Sequence, residues 1–231
     1  MTPEQKAREI IDKKLGQAGW VLQDTKKLNL SAGLGVAVRE FPTSTGPVDY
    51  TLFVDGTPVG VVEAKKDDAG ENITVVEGQS SRYADSTFKW IKNDYRIRFA
   101  YEATSKLTRF TDYDDIKYRS RTVFSFHQPV ELQRLLKQSD TVRNRMKRFP
   151  DFDTTGFRKC QITAIDNLEQ SFAANKPKAL IQMATGAGKT FTAITAVYRL
   201  LKHANVNRVL FLVDTRGLGE QAEREFLAYR P

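Results

Sequence analysis

The sequence predicts an α/β protein in two parts: a mixed central sheet flanked by helices, then the beginning of a domain built on parallel strands. Three observations predict it. The 231 residues are 40% apolar and 28% charged, the balance of a folded chain that buries cores rather than of a disordered one. Two apolar segments, 48–54 and 58–65, flank Asp55-Gly56, a hairpin turn signal. Farther on, a short apolar strand (178–185), a glycine turn (186–190), a helix (191–204) and a second strand (208–214) follow in order. That order implies parallel strands joined by a right-handed crossover.

The first helix starts near Thr2, an N-cap residue type, with Pro3 suited to the first helical position. Ala7, Ile10, Ile11 and Leu15 recur at helical spacing until Gly16 and Gly19 interrupt them. "WVLQD" (20–24) and "GVAVREFP" (35–42) read as short strands or connectors before the hairpin. After the polar segment 67–72, "VVEGQSSRYADSTFKW" (75–90) reads as a helix and "IRFAYEATS" (97–105) as another strand. "PVELQRLLKQSDTVRNRMKRF" (129–149) reads as one helix that becomes strongly basic, followed by the turn-rich "PDFDTTG". The domain boundary is placed there, giving domains 1–148 and 149–231 with 129–148 as the linking helix. Residues 157–176 form a further helix, and the chain has neither an internal repeat nor a low-complexity tract.

With 36 Lys and Arg against 28 Asp and Glu, the net charge is +8, which leans toward a polyanionic partner. Arg143, Arg145 and Arg148 in "RNRMKR" are the candidate contacts to DNA phosphates. The single cysteine, Cys160, excludes an internal disulfide and fits a reducing compartment, and with only two histidines a structural zinc site is not expected. Neither an apolar run of membrane-spanning length nor the apolar centre of a signal peptide occurs, so a cytoplasmic protein without a membrane partner is expected.

Thr185, Gly186, Ala187, Gly188, Lys189 and Thr190 lie between a strand and a helix, the context of a phosphate-binding loop. Glycines let backbone amides converge on phosphate oxygens, and the helix N-terminus adds positive potential. Lys189 is suited to the β and γ phosphates of ATP and Thr190 to Mg²⁺. The usual first glycine of the loop is replaced by Met183. This departure points toward the loop of helicases and translocases rather than of kinases. Gln161, 28 residues before Lys189, stands where superfamily 2 helicases carry the glutamine of their Q-motif, and an amide can donate to and accept from one adenine edge. "VLFLVDTRGLGEQAEREF" (209–226) resembles motif Ia of the same superfamily. No later acidic Mg²⁺ box or arginine-finger lobe occurs within these residues, so a truncated lobe that binds ATP without productive turnover is expected.

Asp49 is followed, after thirteen residues, by Glu63-Ala64-Lys65 at the end of the second hairpin strand. Two carboxylates can gather Mg²⁺, an oxygen-seeking cation that activates water and neutralises phosphate charge. Lys65 shares the strand face of Glu63 and can position that water or move its proton. The register decides whether this works. A strict two-residue turn pairs Val54 with Thr57 and hence Asp49 with Val62, on the wrong face; an odd loop or one bulge near Asp55 to Pro58 sets Asp49 opposite Glu63. Gln79 and Tyr83, four apart on the helix after the hairpin, project from one face of it.

Asp49, Glu63 and Lys65 with the Q-x-x-x-Y of Gln79 and Tyr83 resemble the PD-(D/E)xK nuclease core of RecB-like and type I restriction nucleases. A helical glutamate, Glu4 or Glu9, could join such a site, although a solvated helix face is the plainer reading of both. A PD-(D/E)xK core running into a RecA-like superfamily 2 P-loop domain resembles the N-terminal part of the R (HsdR, restriction and motor) subunit of type I restriction-modification enzymes. "REIIDKKLGQAGW", "FSFHQPVEL" and "FRKCQITAIDNLEQSF" add to the likeness, which covers essentially the whole chain. The resemblance implies an ATP- and Mg²⁺-dependent endonuclease that cuts unmodified double-stranded DNA after translocation, beside methyltransferase and specificity subunits. Two alternatives stay open: a helicase-nuclease of DNA repair or phage defence, and a non-catalytic module that binds DNA or docks to partners.

Overall fold

The computed structural model describes residues 3–43, 46–65 and 97–230. They fall into two compact units, Met1–Ser139 and Asp140–Pro231. In the first unit, helix α1 (Pro3–Gln17) precedes strands β1 (Val21–Asp24), β2 (Gly35–Thr43), β3 (Gly46–Val54), β4 (Thr57–Ala64), β5 (Phe99–Ala103), β6 (Thr108–Asp112) and β7 (Arg121–Val123), and helix α2 (Pro129–Leu136) closes it. The seven strands form one sheet in sequence order. β1 is parallel to β2 and β4 to β5, while β2–β3–β4 and β5–β6–β7 are antiparallel meanders. This is the mixed sheet expected, with β6 and β7 added to the strands the sequence announced. The helix expected at 75–90, with Gln79 and Tyr83, lies outside the described residues.

Helix α1 buries Ala7, Ile11 and Leu15 at i, i+4 and i+8. It stops where Gly19 takes φ 87°. The N–H of Trp20 then reaches back to Leu15 C=O and that of Gly19 to Gly16 C=O, a Schellman ending that only glycine adopts without strain. Ile11 and Leu15 pack with Trp20, Tyr50, Leu52, Val62, Phe99, Tyr101, Phe110 and Leu132 on one face of the sheet. Val36, Val38, Phe41, Phe53, Val61 and Ala100 form a second core on the other. Entry of β2 depends on Gly35, because a Cβ there would meet Pro129 Cγ at 2.1 Å and Trp20 Cε3 at 3.0 Å.

The second unit contains helices α3 (Val142–Arg145), α4 (Lys159–Ala173), α5 (Lys189–Ala204) and α6 (Arg216–Ala228). The single basic helix expected over 129–149 is therefore corrected. α2 ends at Leu136, and α3 starts afresh with Thr141 accepting from the Asn144 N–H at 3.1 Å. A Ser-Asp-Thr sequence favours such a cap over continuation of a helix. The strands expected at 178–185 and 208–214 are also absent: both segments are non-helical and no ladder pairs them among the described residues. A strand exists only through a hydrogen-bonded neighbour, and without one Leu180, Leu210 and Leu212 stand 94%, 81% and 80% exposed. The buried Arg199 joins α5 to α4 through Glu169, at 2.5 and 3.0 Å, and its guanidinium lies 5.0 Å from the Phe152 ring centroid.

Two consequences are measurable. Gly35→Ala should cost about 1–3 kcal/mol through overpacking against Pro129, read from urea denaturation. His127, which shares a 2.7 Å hydrogen bond with the Tyr101 hydroxyl, has its pKa lowered by burial and by nearby Arg121. A lowered folded-state value means that the unfolded chain takes up the proton first. Stability should thus be full above the ordinary histidine value of about 6.5 and decline as pH falls through it, levelling below the folded value. His127→Gln should flatten the decline between about pH 7 and 5 in thermal melts.

Candidate active site and phosphate loop

The hairpin turn is the two-residue Asp55-Gly56 form, both residues at positive φ (50° and 72°), with Val54 paired to Thr57 and Phe53 to Pro58. Leu52 then pairs with Gly60, so Val59 is an extra residue, and Tyr50 pairs with Val62. Carried one step further, this register sets Asp49 opposite Glu63. The bulge resolves the two alternatives, and the turn itself stays short. Beyond Tyr50 the ladder ends, and the Asp49 carboxylate takes over as acceptor: its Oδ2 receives the Ala64 N–H at 2.8 Å.

The register is as expected, but the shared face expected for Asp49 with Glu63 and Lys65 is corrected: the two acids diverge. Asp49 Oδ1 accepts from Arg8 Nη2 on α1 at 2.5 Å, while Glu63 Oε2 lies 3.4 Å from Lys65 Nζ. Their side chains are 16%, 13% and 19% exposed for Asp49, Glu63 and Lys65. Strand alternation places Glu63 with Val61, on the face away from α1, whereas Asp49 leans toward α1; the Ala64 N–H links them. The lean originates in β2. Glu40 drops out of the ladder between Arg39↔Tyr50 and Phe41↔Val48 and takes φ 49°, which reverses the inside-outside alternation beside Asp49.

A cavity of about 960 Å³ adjoins Asp49, lined also by Arg8, Glu9, Asp12, Arg39 and Tyr50. The Tyr50 hydroxyl donates to Asp12 Oδ1 at 2.8 Å, and burial followed by this bond raises its pKa, keeping it a donor. Arg39 bridges Asp12 and Asp24, and the bond to Asp12 is the main reason its basicity rises. Arg8 reaches Glu40 at 2.9 Å with its other terminal nitrogen; burial opposes its charge, but Glu40 and Asp49 outweigh that. For Glu4 and Glu9 on this helix the sequence favours a solvated face over a place in the site. Glu9 is exposed on the cavity wall, and the residue that engages Asp49 is Arg8, whose signal was only its place on the same helix. Among the described residues no group of three or more His, Cys, Asp or Glu is arranged to hold a metal. Asp49 and Glu63 nonetheless offer the oxygen chemistry that suits Mg²⁺, which binds through one or two carboxylates and keeps several waters.

In the second unit the loop 185–188 leads into α5, with Gly186 at φ 75° and Gly188 at φ 85°. Lys189 Nζ turns back to Ala184 C=O at 3.2 Å, and Thr190 follows it in the first turn of α5. Gln161 is buried against the loop. Its Oε1 accepts from the Arg158 N–H at 2.9 Å, and its Nε2 donates to Ala187 C=O at 3.1 Å. A Cβ on Gly188 would fall 2.2 Å from Gln161 Nε2. Arg158 Nη1 adds a 2.6 Å bond to Gly186 C=O, a contact the sequence reading missed.

A family model described as "Type III restriction enzyme, res subunit" matches residues 154–231. Another, "Type I restriction enzyme EcoKI endonuclease subunit second domain", matches residues 22–127. The EcoKI endonuclease subunit of Escherichia coli strain K12 is 30% identical over 272 residues, covering 95% of this chain and 23% of its own length. This chain belongs to the endonuclease (HsdR) subunits of type I restriction enzymes. A Staphylococcus aureus (strain COL) relative, the SauCOLORF180P endonuclease subunit, is 25% identical over 77% of the chain and 20% of its own length. A solved fragment assigned to an HsdR subunit from Vibrio vulnificus YJ016 aligns over 90% of this chain and 39% of its own, with 21% identity and a TM-score of 0.43. The chain thus spans about a quarter or less of the two named subunits.

Within this HsdR chain the basic residues read as DNA contacts have protein partners. Arg145 donates to Ala204 C=O at 2.8 Å and to Asp140 C=O at 2.6 Å, capping the end of α5, and Arg148 pairs with the Asp140 carboxylate. Arg143 also sits in α3 and is not without contacts. No described helix is long and apolar enough to cross a membrane. Gly188→Ala should displace Gln161 and strain the left-handed cap, lowering stability by about 1–3 kcal/mol in thermal melts, whereas Gly186→Ala, with open space around it, should show the backbone strain alone.

Proposed function

We propose that this chain carries the DNA-cutting centre and the start of the motor of a type I restriction endonuclease. The nuclease part is assigned to residues 1–148 and the partial superfamily 2 lobe to 149–231. The observation that supports it most is the bulged β3–β4 register, which brings Asp49 to the strand end of Glu63 and Lys65. In this reading Asp49 and Glu63 hold Mg²⁺, which supplies an activated water and neutralises charge on the scissile phosphate. Lys65 orients the attacking water and takes part in its proton transfer, and Gln79 and Tyr83 belong to the site as its accessory motif.

Lys189 and the amides of 185–188 bind the ATP phosphates, Thr190 holds the nucleotide's Mg²⁺, and Gln161 joins the adenine edge to the loop. The substrate is unmodified double-stranded DNA, and the modification and specificity subunits are the partners, within the cytoplasm. The EcoKI likeness favours this assembly over a repair helicase-nuclease. The test is cleavage by the assembled complex. Asp49→Asn, Glu63→Gln and Lys65→Ala should each abolish cutting, by at least about 100-fold, while ATP hydrolysis persists. Retained cutting in any of the three removes that residue from the site.

A further inference from the structure

We propose that Arg8 is a counter-ion latch on the candidate metal site: it holds the Asp49 oxygen that a divalent cation needs, and it must release that oxygen for the cation to bind. The inference rests on the nuclease reading of Asp49 and Glu63 and deepens it. Arg8 uses both arms of its guanidinium fork, Nη2 on Asp49 Oδ1 at 2.5 Å and Nη1 on Glu40 Oε1 at 2.9 Å. The other Asp49 oxygen takes the Ala64 N–H at 2.8 Å, so both oxygens are engaged. Each Asp49 oxygen keeps a second lone pair, but a dication about 2.1 Å from Oδ1 would sit beside the guanidinium, and two positive charges would compete for one carboxylate. The ion pair and the metal bond therefore oppose each other.

The surroundings favour release. Arg8 Nε is buried without a hydrogen-bond partner, so the guanidinium sits where two carboxylates hold it and not where all its donors are satisfied. Glu40 is 68% exposed at the rim and can keep Nη1 after Nη2 lets go. The adjoining cavity of about 960 Å³, walled also by Glu9 and Asp12, can accept the displaced side chain without opening the core. Arg8 holds Asp49 on the α1 side, the side to which the β2 reversal turns it, away from the strand face of Glu63. Release opens Oδ1 to the dication, while Oδ2 stays on the Ala64 N–H beside Glu63.

The test is Mn²⁺ binding to this chain, read by the loss of the free Mn²⁺ paramagnetic resonance signal. Arg8→Gln should bind Mn²⁺ roughly fivefold more tightly than the unaltered chain. Arg8→Lys, which cannot span Asp49 and Glu40 together, should move the affinity the same way by less, and it replaces Arg8→Gln should that variant not fold. Asp49→Asn should lose the binding. If Asp49→Asn loses it while neither Arg8 variant tightens it, the latch is wrong and the nuclease reading stands. If Asp49→Asn binds like the unaltered chain, or neither binds, the metal assignment fails and the latch fails with it.

Discussion

One extra residue in β4 decides what the hairpin can do. Side chains alternate along a strand, so a register shifted by one residue exchanges the faces of everything beyond it. With Val59 unopposed, the pairs before it follow the tight Asp55-Gly56 turn, and the pairs after it, ending at Tyr50↔Val62, bring the Asp49 carboxylate to the Ala64 N–H beside Glu63, although the two acids face opposite ways. Gly60, next to the bulge, lets β4 approach β5 closely: a Cβ there would lie 3.1 Å from Phe99 C=O. The pairing of β4 with β5 in turn fixes Glu63 and Ala64 against Glu102 and Ala103. The acidic pair is therefore a product of packing on both sides of β4, and no local preference of Asp49 or Glu63 sets it.

What could be read in advance follows from the range of the interactions. Asp55-Gly56 and the alternating apolar residues are local signals, and the need for an odd loop or a bulge followed from requiring Asp49 opposite Glu63, as the nuclease resemblance does. The glycine loop was legible for the same reason, since positive φ at Gly186 and Gly188 is a local requirement. Arg8 and Glu40 were not legible, because their meeting with Asp49 links residues 41 apart in one case and depends on a kink in the other. β6 and β7 were missed because "TRFTD" and "RTV" are short and half polar, with strand character only beside β5. The basic helix was read too long because two helical stretches were joined across Ser139-Asp140-Thr141, where the Thr141 cap starts a new helix.

The glycine loop illustrates the converse, a residue singled out in the sequence but engaged differently from its simplest use. A free glutamine amide can meet a base edge with one donor and one acceptor. Here the Gln161 oxygen already accepts from the start of α4, and one amide hydrogen reaches Ala187. One hydrogen and one lone pair remain. The first task of Gln161 is thus to fasten α4 to the loop that leads into α5, beside the Arg158 bond to Gly186 C=O.

The kink at Glu40 is where the first unit stores strain, since a non-glycine residue at φ 49° costs on the order of 1 kcal/mol. Its neighbours over-determine it. Arg39, one residue earlier, is anchored to Asp12 and Asp24, and Phe41, one residue later, is buried against Phe53 with ring centroids 5.3 Å apart. Between these anchors Glu40 must leave the ladder, and its carboxylate swings to Arg8. The same reversal turns Asp49 to the same guanidinium. Strain in β2, the bulge in β4 and the ion pair to α1 thus meet on one carboxylate from three directions, two through backbone and one through charge. Only the charge contact can be exchanged without refolding the sheet, which is why a competing cation would act there.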